Sequence, residues 1–65
     1  MRSEDDTDYI TLMPCTDFKR HLVIVMRWSD PQDGFVQTRC SQPLSEMRAR
    51  ALSIEWATRY GLEVR

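Results

Sequence analysis

Residues 41–60 read SQPLSEMRARALSIEWATRY, and no other stretch of the chain is long and periodic enough to make a helix. Its reading decides the fold, because the rest offers only short runs of strand character that need an apolar helix face to close a core. Ser41 is a candidate N-cap whose hydroxyl can accept a first-turn amide, and Pro43 falls in that first turn, where a missing N–H costs little. Ser45 is a competing start one turn later. Gly61 supplies the C-cap, with Arg59 placed against the negative end of the helix dipole.

At 100° per residue the apolar positions of this helix split in two. Leu44, Met47, Ala51 and Ile54 fall within about 80° of one another, and Ala49, Leu52, Trp56 and Tyr60 form a second stripe about 160° away. Arg48, Glu55 and Arg59 run between them on one side; Glu46, Arg50 and Ala57 lie on the other. A lone helix on a small sheet needs one buried stripe. Either the first stripe and Trp56 share a wide core with Tyr60 at its edge, or one stripe covers the sheet and the other meets a second copy or another protein. On the latter reading Ala49, Leu52, Trp56 and Tyr60 are the interaction residues and a homodimer is expected.

Working back from the helix, His21 to Ser29 (HLVIVMRWS) is the strongest strand. Leu22, Ile24, Met26 and Trp28 form one row, opposed by His21, Val23, Val25, Arg27 and Ser29. Both rows are apolar in the middle, as in a central strand or one whose second face is covered. Asp30 to Gly34 reads as a turn, with Pro31 presetting φ and Gly34 free to take a positive φ. Phe35 to Cys40 then returns antiparallel to complete a hairpin. Before it, Tyr9 to Met13 is a short strand ended by Pro14. After the helix, Leu62 to Val64 alternates as a last edge strand. Residues 1–8 carry Glu4, Asp5, Asp6 and Asp8 and read as a flexible acidic N-terminus, leaving 9–65 as one small α+β domain.

A chain of 65 residues buries only roughly 60% of its unfolded surface, so its core is thin and association helps it. Formal net charge is -1, which gives no global attraction to a polyanion. The longest apolar run, Leu22 to Met26, is five residues against roughly 20 for a bilayer span, so no membrane association is expected. With two cysteines and no signal peptide, reduced thiols in a cytoplasmic protein are the expectation.

Catalytic constellations are sparse. His21 is the single histidine, so a site built on several histidines cannot form within one chain. Cys15, His21 and Cys40 match no close-spaced zinc signature, and both cysteines read as buried small hydrophobes. Cys15 with His21 is the one conceivable nucleophile–base pair and has no third orienting residue. Asp30 and Asp33 share a turn too tight for separated acid and base roles. Two glycines, Gly34 and Gly61, provide neither a phosphate loop nor a dinucleotide fingerprint. No enzyme activity, metal or cofactor is expected.

The order strand, hairpin, helix from Tyr9 to Tyr60 resembles, in element order, the small antitoxin-like and double-stranded-RNA-binding-like modules that also lay a helix on an antiparallel sheet. Ser41, Gln42, Pro43 and Glu46 stand where an RNA-binding version has a basic loop and helix start, so the resemblance implies the layered fold and carries no function. In general form the chain also resembles compact accessory proteins of phages and mobile elements.

The expected architecture is α+β: about three strands in a small, mainly antiparallel sheet, a C-terminal helix across one face, and a short terminal strand. The expected function is a non-enzymatic protein–protein interaction module acting as adaptor, inhibitor or regulator. The alternative is a nucleic-acid-binding regulator that tracks a backbone with Arg27, Arg39, Arg48 and Arg59 and stacks Trp28 or Phe35 on a base.

Overall fold

Alternating β-branched and aromatic residues make the first half of the chain a meander, described in a computed structural model over residues 7–16 and 19–65. The elements run β1 (Tyr9–Pro14), β2 (Arg20–Ser29), β3 (Gly34–Cys40), β4 (Leu44–Ser45), α1 (Glu46–Tyr60) and β5 (Glu63–Val64). The sheet order is β3-β2-β1-β5, with β4 on β2. β1 and β3 flank β2 antiparallel, and β5 adds to the outer edge of β1 in parallel, opposite Tyr9 and Ile10. The α+β layering, the hairpin and the terminal strand all follow the sequence reading. No helix among the described residues is long and apolar enough to cross a membrane.

Two boundaries differ from expectation for identifiable reasons. Helix α1 begins at Glu46, capped by Ser45, whose hydroxyl accepts the Arg48 amide at 3.3 Å. Ser41 is unavailable as a cap because it is bound to the sheet: its N–H donates to the Val23 carbonyl at 2.9 Å, and its hydroxyl accepts the Val23 amide at 2.9 Å. Pro43 disfavours helical geometry at Gln42, so the chain passes through a short extended segment before turning. Leu44 and Ser45 thereby pair with His21 and Arg20, continuing the edge that β3 began. In the hairpin turn, Asp33 at φ 50° takes the positive-φ position expected of Gly34. Aspartate tolerates this region, and Gly34 is left to pair with Ser29 as the first residue of β3.

The core lies between α1 and one face of the sheet. Ile10 and Val23 are completely buried, and Val25, Ala49 and Trp56 complete the cluster, with Leu12, Leu44, Leu52, Ala57, Tyr60 and Leu62 packed around it. The helix therefore turns its Ala49/Leu52/Trp56/Tyr60 stripe inward, with Ser53 buried beside it. Ala49 and Ser53 are small enough to bring the helix close to the sheet, and the Ser53 hydroxyl is satisfied within the helix by donating to the Arg50 carbonyl at 2.7 Å. The wide core built from the first stripe does not form. Met47 and Ile54 are 83% and 64% exposed, Ala51 is exposed, and only Leu44, held in β4, reaches the core.

Candidate interaction surface

The pairing of β1, β2 and β3 fixes which side chains share each face. Since neighbours alternate and directly paired residues point the same way, Ile10, Leu12, Val23 and Val25 face the helix. Tyr9, Thr11, Met13, Leu22, Ile24, Met26, Trp28 and Phe35 occupy the opposite face. Among the described residues no element packs over that second face. The middle of that face is hydrocarbon, rings and thioethers, with Thr11, Gln37 and Cys40 among them, and charge enters at its margins, where Arg20 continues the β2 row beyond Leu22 and Glu63 lies beside Tyr9.

The surface has internal order. Phe35 stands edge-on to both Tyr9 and Trp28, with centroid distances of 5.0 and 5.3 Å and interplanar angles of 71° and 85°. Such edge-to-face contacts use the positive ring edge against the negative ring face. Ile24, in the middle strand, is only 2% exposed, whereas Met13 at the other end is 51% exposed. The face thus grades from a Met13/Leu22 end, across Ile24, to an aromatic end at Tyr9, Trp28 and Phe35.

Asp8 fixes the aromatic end. Its carboxylate accepts the Trp28 backbone amide at 2.8 Å and pairs with the Arg27 guanidinium at 3.2 Å. Of the acidic N-terminus expected over residues 1–8, the first six lie outside the described residues, and Asp8 is tied into the sheet. The Trp28 indole N–H donates to the Asp30 carboxylate at 2.7 Å, binding the ring to its turn. Arg65 lies over the Tyr9 ring at 4.8 Å while its guanidinium pairs with Glu63 at 2.6 Å. These contacts, together with a hydrogen bond from the Thr7 hydroxyl at 3.0 Å, hold the Glu63 carboxyl below its ordinary value.

The residues singled out in the sequence are placed differently. Ala49, Leu52, Trp56 and Tyr60, expected to meet a partner, cover the sheet instead; Ala49 is completely buried and Trp56 is 5% exposed. The reason is size: Trp56 is the one helix side chain wide enough to cover the middle of the sheet. The Arg39 guanidinium closes this side of the core, 4.5 Å from the Trp56 ring and hydrogen-bonded to the Tyr60 hydroxyl.

Of the four arginines proposed for a nucleic acid, three are engaged within the chain. Arg27 pairs with Asp8, Arg39 stacks on Trp56, and Arg59 pairs with Glu55 at 3.5 Å. Arg48 lines a cleft of about 800 Å³ at the start of α1 together with Lys19 and Arg20. Both cysteines are free thiols; Cys15 is half-buried and Cys40 exposed, so the expectation of two buried cysteines fails at Cys40, which sits in an edge strand. No group of three or more metal-ligating side chains occurs among the described residues.

The open-face residues escaped the site assignment although a signal for them was present. β2 has two apolar rows and the described residues hold one helix to cover them, so one row has to face away from it. No known protein family matches the chain, and no curated protein or solved structure does either.

Proposed function

We propose that this chain is a non-enzymatic protein-interaction module, an adaptor, inhibitor or regulator that acts by occupying a surface on another protein chain. One observation carries the reading: the face of the sheet opposite α1 is apolar through its middle, has its charges only at its margins, and is uncovered by any described element. A contiguous apolar surface of this kind is costly to leave in water and is characteristic of contact sites. Its methionines adapt to a partner's relief, and its aromatic cluster offers large area at small entropic cost. A cytoplasmic setting with free thiols belongs to the same proposal.

The nucleic-acid reading draws support from a different place, the cleft where Lys19, Arg20 and Arg48 surround the start of α1. The open face does not add to it. Phe35 already packs edge-on against Tyr9 and Trp28, an arrangement suited to a hydrophobic cluster rather than to separate platforms for bases.

The two readings are separated by comparing wild type with Phe35→Asp and with the pair Arg48→Ala, Arg59→Ala. Affinity capture from native lysate is run beside a shift assay on labelled DNA and RNA at low salt. A captured protein lost in Phe35→Asp and kept in the arginine variant is the expected result. A salt-dependent nucleic-acid shift abolished by the arginine variant would replace the first reading with the second.

A further inference from the structure

We propose that the uncovered sheet face is the contact between two copies of this chain, packed sheet on sheet with the two helices outside. The proposal rests on the interaction reading above and names its occupant. Three features of the face argue for a second copy.

The first is size. The molecule measures 37 × 25 × 16 Å, so its broad side is large enough to hold the roughly 800 Å² that each partner contributes to a stable interface. Its short dimension leaves room for only two layers and a thin core, and sheet-on-sheet packing would add a second core of about 10 Å between the copies.

The second is charge. The face carries it only at its margins: Arg20 lies beyond Leu22 on β2, and Glu63, beside Tyr9 at the other end, is paired with Arg65 at 2.6 Å. The apolar middle therefore holds no like charges to repel an identical copy, and the marginal Arg20 and Glu63 are of opposite sign and lie at opposite ends of the strands.

The third is the gradient along the strands. A two-fold axis crossing the strands near Ile24 lays the Met13/Leu22 end of one copy over the Tyr9/Trp28/Phe35 end of the other. Thioether and aliphatic groups then meet ring faces at both ends, a favourable pairing that the symmetry makes twice. The exposed helix residues Met47 and Ile54 offer less: Met47 stands beside the Glu46–Arg50 ion pair, and Ile54 lines a cleft that it shares with the charged Glu46 and Arg50.

The test is the solution mass by light scattering across a concentration series, with far-UV circular dichroism to establish folding. Wild type is expected at twice its 7.7 kDa chain mass. Phe35→Asp and, independently, Met13→Asp are expected to halve that mass while keeping the spectrum; Met13 is exposed enough that its substitution leaves the fold intact should Phe35→Asp not fold. Ile54→Asp, on the outer face of the helix, is expected to remain dimeric. A wild-type monomer at high concentration overturns the proposal, as does a dimer lost in Ile54→Asp but kept in Met13→Asp. A monomer that still captures a different protein through Phe35 overturns the second copy while leaving the interaction reading standing.

Discussion

Val23 and Val25 point toward the helix, while Ile24 and Met26, alternating with them along the same strand, point away from it. On the covered side the apolar row meets Ala49 and Trp56 and forms a closed cluster with Ile10. On the open side the row of Ile24 and Met26 is flanked, among the described residues, by its strand neighbours alone: Thr11 and Tyr9 on β1, Cys40 and Gln37 on β3. The difference teaches that patterning says which rows want burial and leaves open where the burying surface comes from. On one side it comes from within the chain. On the other, the proposal is that it comes from a second copy.

Removing the keystone of the covered side tests the comparison most severely. Trp56→Ala deletes the largest side chain of a thin core and leaves a cavity between small Ala49 and Ser53, so a loss of about 3–5 kcal/mol is expected. A domain this small holds little more than that, and urea denaturation should find the variant largely unfolded. A folded Trp56→Ala protein of near wild-type midpoint would show that α1 is not the main cover of the sheet.

The matching change on the open side is Phe35→Ala. It removes two edge-to-face ring contacts from a half-exposed cluster and should cost about 1–2 kcal/mol in the monomer. Its denaturation midpoint, compared with wild type at chain concentrations where both are monomeric, should therefore shift by much less than that of Trp56→Ala. Equal costs would mean that the open face is as fully packed as the covered one, and the asymmetry argued above would vanish. Smaller still is Arg39→Ala, which takes the guanidinium off Trp56 at the rim of the covered side; about 0.5–1 kcal/mol is expected for an exposed cation on a ring. Arg39→Lys separates charge from shape, because the ammonium keeps the attraction and loses the flat stack.

How much of this was legible in the sequence depends on the range of the interactions involved. The strands, the hairpin, the Gly61 C-cap and the terminal strand rest on local signals of alternation and turn chemistry, and they stand where the sequence put them. The helix start is left open by one turn in the sequence because Ser41 and Ser45 are equivalent as local caps. A non-local pair of bonds between Ser41 and Val23 decides between them. The inward stripe depended on a still longer-range matter, whether Trp56 or the Leu44/Met47/Ile54 side fits the relief made by Ile10, Val23 and Val25. Angles around a helix reveal two candidate stripes but not the shape of the opposing sheet. Assigning the partner surface to Trp56 and Tyr60 followed from that gap, even though the two apolar rows of β2 already required one sheet face to look outward.

The smallest expected effect lies at the sheet edge, where both faces end. β5 is held to β1 through the Arg65 amide, which donates to the Ile10 carbonyl at 2.7 Å, and through the exposed Glu63 carboxylate, bound by Arg65 and Thr7. The Arg65 side-chain hydrogen bond is the first cause of the lowered Glu63 value, followed by that from Thr7 and the Arg65 charge. A carboxyl lowered in the folded state binds its proton more weakly there than in the unfolded chain. Its contribution is complete above the ordinary glutamate range and fades as pH falls through the lower folded value. Acidification through that window should shift the Arg65 amide resonance along with the Glu63 carboxyl carbon, while Glu63→Gln abolishes the coupled titration. Amides of Val23 and Val25, bound in the middle of β2, should not follow it. If they titrate with Glu63, the edge and the core open as one unit, and β5 is part of the covered side rather than a clasp added to its rim.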